Sequence, residues 1–173
     1  MEKNIALLVI DMLNDFVLPG APLKAEDAEH IIGPIKEEIE KAKRSFYPVI
    51  YLCDRHEEDD IEFRLYPRHA VKNSEGEKII EQLRPEGNDI IVRKYSLSGF
   101  YNTDLDEILK KLFIKKLILT GIYSNICVLY TAFDAVIRGY DVDVVKKATV
   151  GTTKREKSSS LEHMKKVLKV NII

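Results

Sequence analysis

Six short runs of apolar, β-branched residues punctuate the chain: IALLVI at 5–10, YPVIYLC at 47–53, DIIV at 89–92, KLILTG at 116–121, DVDVV at 141–145 and KVNII at 169–173. Their length and β-branching predict strands, and the segments between them carry the apolar spacing of helices. PIKEEIEKAKRS (34–45) opens on a proline suited to a first helical turn and sets Ile35, Ile39 and Ala42 on one face. EGEKIIEQL (75–83) and TDLDEILKKLF (103–113) read as two further helices, the second with Thr103 as its N-cap. NICVLYTAFDAVIRG (125–139) is apolar nearly all round, which predicts a buried helix ended by Gly139. TKREKSSSLEHMKKVL (153–168) starts with Thr153 and Glu156 at capping-box spacing.

This alternation predicts an α/β fold: one domain over 1–173, a doubly wound three-layer α/β/α sandwich around a mainly parallel six-stranded sheet. The strands at 5–10 and 116–121 are the most continuously apolar and belong in its middle. DRHEEDDIEFRLYPRHAVKNS (54–74) is the longest stretch without periodicity, a long loop of the kind that usually carries function.

Ligands of such folds bind beyond the carboxyl ends of the strands. The polar residues placed there are Asp11, Asp54, His56, Lys94 and Cys127. Cys127 opens a helix, where free N–H groups and the helix dipole favour thiolate and could hold an oxyanion. Asp11 could take the thiol proton, and Lys94 could keep that carboxylate ionised and orient it. Taken singly, the three are a core thiol, a loop cap and a surface lysine; their meeting at three strand ends is what points to a site. Asp54 and His56, with His69 further along the loop, form a second group. One carboxylate and two imidazoles suit Zn²⁺ or Fe²⁺ with positions left open for water and substrate.

Composition narrows the classes. A net charge of −1 gives no bulk attraction to nucleic acid or to a membrane surface. No apolar run reaches the length of a membrane span, and MEKNIALLVIDML is too short in its apolar part for a signal peptide, so a cytoplasmic location is expected. Two cysteines, Cys53 and Cys127, make no disulfide framework. No G-x-G-x-x-G follows the first strand and no P-loop occurs, which excludes a nucleotide-binding reading of the sheet.

Three stretches together resemble the isochorismatase-like cysteine hydrolases, and within them the nicotinamidases: LLVIDMLNDFVLPGAPL, RKYSLSGFYNTDL and LTGIYSNICVLYTAFDAVIRGYDVDVV. The likeness runs from about residue 5 to 150. It implies a catalytic triad of Asp11, Lys94 and Cys127, a cis peptide between Ile122 and Tyr123, and an oxyanion hole made by the N–H groups of Tyr123 and Cys127. It also implies a divalent metal held by Asp54, His56 and His69, with Glu62 as a fourth ligand. Zn²⁺ comes first, with Fe²⁺ or Mn²⁺ as alternatives. Phe16 and Tyr123 would line the substrate pocket. The implied reaction is release of ammonia from a small amide through a thioester, with nicotinamide as the first substrate. The alternatives are an N-carbamoylsarcosine or ureido-acid amidohydrolase of the same family and, more distantly, a non-catalytic small-molecule-binding domain. The resemblance further implies a homo-oligomer, for which exposed Leu18, Phe46 and Phe113 are conceivable contact points. Departures from the nicotinamidase pattern fall around the pocket: Asn125 where Asp is usual, Tyr95 and Leu97 before Ser98, and a short loop between His56 and Glu62.

Overall fold

The computed structural model describes residues 4–173. Residues 1–3, which open the stretch read above for a leader, lie outside it. Six strands, β1 (Ile5–Ile10), β2 (Val49–Asp54), β3 (Ile90–Lys94), β4 (Lys116–Ile122), β5 (Asp141–Val150) and β6 (Asn171–Ile172), form one sheet in the order β3-β2-β1-β4-β5-β6. Every pairing is parallel, so the expected mainly parallel sheet is entirely parallel among the described residues. β1 and β4, the two most apolar runs, lie side by side at its centre.

Alternation along β1 shows why there are three layers. Leu7 and Val9 point to one face, where helix α2 (Ala28–Arg44) brings Ile31, Ile35 and Ile39. Ala6, Leu8 and Ile10 point to the other, against α3 (Leu105–Lys111), α4 (Cys127–Ile137) and α5 (Lys154–Val167). A one-turn helix, α1 (Asn14–Val17), follows β1. The order of connection reverses between β1 and β4, and that switch point leaves a crevice at the carboxyl ends of the two central strands.

The structure corrects several readings. α2 begins at Ala28, six residues before Pro34, which sits inside the helix instead of in its first turn. Gly33 before it has no Cβ to crowd the proline ring. Residues 75–83 are not a helix: turns, an antiparallel bridge from Leu13 to Ile79 and a short 3₁₀ turn at Glu81–Leu83 replace it. Their backbone bonds go instead to the chain after β1, with Ile80 N–H donating to Met12 and Asn14 N–H to Lys78. β5 runs five residues past its predicted end, because an irregularity between Leu119 and Gly121 restores the register of its second half. α4 is buried on one side only; Tyr130, Phe133 and Ile137 are 46%, 45% and 61% exposed. The capping box of α5 is half made. Glu156 N–H donates to Thr153 Oγ1 at 3.1 Å, while the Glu156 carboxylate turns to the Thr152 and Thr153 hydroxyls. Thr103 Oγ1 accepts from Leu105 N–H, as a cap should, although Asp104 is the residue next to α3. Leu18, Phe46 and Phe113 are exposed.

Candidate active site

Asp11 follows β1 directly, in a left-handed conformation (φ 52°) that Asp tolerates better than most residues. Its N–H donates to Leu52 of β2. Lys94 ends β3 in register with Asp54, which ends β2. Cys127 opens α4, beyond β4 and a cis peptide between Ile122 and Tyr123. Gly121 allows this approach, because a Cβ there would stand 2.0 Å from the Ile10 carbonyl oxygen. The three strand ends thus deliver a carboxylate, an amine and a thiol to one buried point.

Lys94 is the centre of that point and is wholly buried. Its Nζ forms an ion pair with Asp11 Oδ2 at 2.8 Å, donates to Asp54 Oδ1, and lies 3.6 Å from Cys127 Sγ. It also donates to the Ser96 carbonyl at 3.2 Å. Asp11 Oδ1 accepts the Asp54 backbone N–H at 2.9 Å, and a carboxylate oxygen of Asp11 and Cys127 Sγ lie within 4.8 Å of each other.

Charge states follow from this packing. Burial pushes the Asp11 carboxyl up to about 6, and the neighbouring Asp54 charge adds to the rise against the opposing pull of Lys94. Burial also drives the Cys127 thiol well above its ordinary range, more than Lys94 draws it down. The expected helix-terminal thiolate is therefore a resting thiol with a carboxylate beside it. Burial disfavours the Lys94 cation, yet Asp11 and Asp54 outweigh it and hold the ammonium well above the ordinary lysine range. Cys53, one residue before Asp54, is a core thiol pushed up to about 12 by burial.

The metal-ligating residues of the sequence reading also meet. Donor atoms of Asp54, His56 and His69 converge within 4.8 Å of one another, all three residues buried. Asp54 Oδ2 lies 3.8 Å from Nε2 of each histidine, and Glu62 Oε1 lies 4.0 Å from His69 Nε2. The far ring nitrogens are engaged: His56 Nδ1 with Asp60 at 3.0 Å and His69 Nδ1 with the Pro67 carbonyl at 2.7 Å. Those contacts hold each ring with Nε2 turned toward Asp54, the orientation a metal-bound imidazole needs. His56 Nε2 is buried without a hydrogen-bond partner. An orphaned buried nitrogen beside a carboxylate and a second imidazole is what a divalent cation with open positions needs, so the residues fit the group.

Between the two clusters lies a cavity of about 230 Å³. Phe16 and Tyr123 line it, as the resemblance implies, their rings 6.2 Å apart and edge-on. Leu97, which the resemblance placed around the pocket, lines it too, and Leu23, Tyr66 and Ile126 complete an apolar wall that sequence reasoning missed; nothing in the spacing of these three marks them. Cys127, Asp54, Glu62 and His69 contribute to the same wall, Cys127 and Asp54 within 4.8 Å of each other through their donor atoms. None of the residues lining the cavity is Lys or Arg. Among the described residues, no backbone acceptor takes the N–H of Tyr123 or Cys127, although Ile126 and Val128 both donate to the Tyr123 carbonyl. Asn125, where the nicotinamidase pattern has Asp, is bonded in both directions to Thr152 at the cavity rim, at 3.0 Å each way. Asp60 was also missed. Its one clue in the sequence is a carboxylate four residues after His56, too weak to act on.

The sequence matches the family model described as the Isochorismatase domain over residues 5–172. Among solved structures, N-carbamoylsarcosine amidase from Thermoplasma acidophilum superposes with a TM-score of 0.90 at 34% identity, covering 98% of this chain and 95% of that one. Pyrazinamidase/nicotinamidase from Streptococcus mutans gives 0.91 at 29% identity, with 98% and 99% covered. Pyrazinamidase of Pyrococcus horikoshii, solved in complex with zinc, gives 0.92 at 30% identity, with 98% of each chain covered.

Proposed function

This chain belongs to the isochorismatase family, as a hydrolase of carbon–nitrogen bonds other than peptide bonds, and within that class we propose a cysteine amidohydrolase that releases ammonia from a small uncharged ring amide, converting nicotinamide to nicotinate. One observation carries the choice of substrate: the cavity in front of Cys127 is walled largely by apolar and aromatic side chains and offers no lysine or arginine. N-carbamoylsarcosine and ureido acids carry a carboxylate, and a buried carboxylate without a partner is costly. Lys94 is no such partner, being already engaged by Asp11 and Asp54. A flat ring amide instead buries its faces against Phe16, Leu97 and Ile126. Identity ranks the N-carbamoylsarcosine amidase slightly above the ring amidases, so the reading leans on wall chemistry.

The proposed cycle uses the resting protonation states. Asp11, ionised above about pH 6, takes the Cys127 proton as sulfur attacks the amide carbon, so thiolate need not accumulate. The N–H groups of Tyr123 and Cys127 receive the oxyanion. Asp11 returns its proton to the nitrogen, the C–N bond breaks and ammonia leaves a thioester on Cys127. Asp11 then takes a proton from water as its oxygen attacks the thioester, and returns it to sulfur as nicotinate departs. Lys94 keeps Asp11 oriented and its charge balanced throughout. Asp54, His56, His69 and Glu62 would hold the divalent cation, Zn²⁺ foremost, which supplies a Lewis acid for anchoring the ring nitrogen. Ammonia release measured side by side on nicotinamide and N-carbamoylsarcosine tests the reading. A kcat/KM about 100-fold or more higher for nicotinamide is expected, as befits a charged group entering without a partner. Preference for the carbamoyl acid would sink it.

A further inference from the structure

The Asn14-Asp15-Phe16 sequence lies three residues past Asp11 and has no part in the cycle above. Each of its three residues reaches the segment that carries His69. Asn14 Nδ2 donates to the Glu75 carbonyl at 2.8 Å, and Asp15 N–H donates to the Gly76 carbonyl at 3.2 Å. The Phe16 ring stands edge-on to His69, centroids 5.4 Å apart. Asp15 Oδ2 accepts the backbone N–H of Ala70 at 2.9 Å.

Ala70 links that carboxylate to both imidazoles. It follows His69 directly in the chain, is fully buried, and holds a left-handed conformation (φ 43°) costly for a residue with a Cβ. Its carbonyl accepts His56 N–H at 3.0 Å. The carboxylate thus holds the N–H of Ala70, and Ala70 holds the backbone of His56. Asp15 itself belongs to neither group of converging donor atoms. Gly76 is pressed against it, since a Cβ there would meet Asp15 Oδ2 at 1.9 Å, so the carboxylate has no room to swing away.

The geometry points to Asp15 as a positioning residue for the metal site, its carboxylate setting the spacing of His56 and His69 through the Ala70 peptide. This rests on reading Asp54, His56 and His69 as the metal ligands. Supporting groups of this kind change metal affinity by about 10–100-fold when removed.

The test is Zn²⁺ affinity by competition with a chromophoric chelator, and the visible absorption of the Co²⁺-loaded protein. Both are run in a Cys127→Ala background so that the thiol does not compete. Asp15→Ala is expected to weaken Zn²⁺ about 10–100-fold and to alter the Co²⁺ bands. Asp15→Asn, whose amide oxygen still accepts the Ala70 N–H, should stay within about threefold of the parent, a rescue expected where the hydrogen bond rather than the charge matters. If Asp15→Ala fails to fold, Asp15→Glu, which keeps the charge and displaces the oxygen by one methylene, should show the same weakening. Parent-like Zn²⁺ affinity in a folded Asp15→Ala or Asp15→Glu chain, while His56→Ala loses it, would overturn the assignment of Asp15 alone. Parent-like affinity in His56→Ala would instead overturn the metal site itself.

Discussion

The Asp54 backbone N–H donates to Asp11 Oδ1 at 2.9 Å, so the proposed base and the first of the metal-ligating carboxylates share a hydrogen bond. The Asp54 side chain extends the link. One oxygen accepts from Lys94 and the other faces His56 and His69. Burial opposes the Asp54 charge, but Lys94 and then the two imidazoles hold that carboxyl well below the usual range. The acid–base group and the imidazole cluster are therefore one electrostatic unit, with Lys94 as its only buried amine among the described residues.

Removing that amine should be costly twice over. Lys94→Met leaves Asp11 and Asp54, both buried, without their counter-charge. A loss of about 3–5 kcal/mol in urea unfolding of the metal-free protein is expected, with turnover at background. Zn²⁺ should recover part of the stability, because a cation on Asp54 replaces half of what was lost.

Turnover should show an acid limb. In the proposed role of base Asp11 works only when ionised, and its carboxyl is raised to about 6, first by burial and then by Asp54. Log kcat/KM for nicotinamide is expected to fall about tenfold per pH unit below that value and to be flat just above it. Zn²⁺ offsets the Asp54 charge, so the loaded protein should have its limb at lower pH than the partly loaded one. Asp11→Asn should lose about 10²–10⁴-fold in kcat/KM at every pH.

Gly121→Ala tests the approach of β4 to β1. With φ at 109° and the new Cβ 2.0 Å from the Ile10 carbonyl, the strand end that carries Asp11 must shift. A stability loss of at least about 1–3 kcal/mol is expected from the backbone conformation alone, together with a drop in kcat larger than the change in KM.

The absence of a cation from the cavity wall can be reversed. Leu97 lines the cavity, and the Lys94–Ser96 bond anchors the loop that bears it. Leu97→Arg should lower kcat/KM for nicotinamide by about tenfold or more, and raise it for N-carbamoylsarcosine from its low starting value. Unchanged preference would mean that the wall does not select against the carboxylate.

The sheet was legible in the sequence because all six strands are apolar or β-branched runs of strand length. Strand ends alone then named Asp11, Asp54, His56, Lys94 and Cys127, since a parallel sheet brings such ends together. His69 was legible as a third ligand in the long loop and as a metal ligand by the resemblance. The Asp15–Ala70 bond next to it is encoded by no local pattern. The segment 75–83 misled for a related reason: its apolar spacing suits a helix, but Gly76 is pressed against Asp15 and the backbone bonds go to residues 12–15. Tertiary pairing overrode propensity there. On α4 the pattern was read correctly as apolar, yet Tyr130, Phe133 and Ile137 face outward; hydrophobicity alone does not say which side a short helix buries. The charge state of Cys127 was misjudged because the helix-terminal effect is short-ranged and modest, whereas burial acts on the whole thiol.

The most direct measurement is ammonia release from nicotinamide by the folded, Zn²⁺-loaded protein, with Cys127→Ala beside it under the same conditions. The account predicts turnover by the parent chain and none above background in the variant. Turnover that survives in Cys127→Ala, or a folded and loaded parent that releases no ammonia, would contradict it.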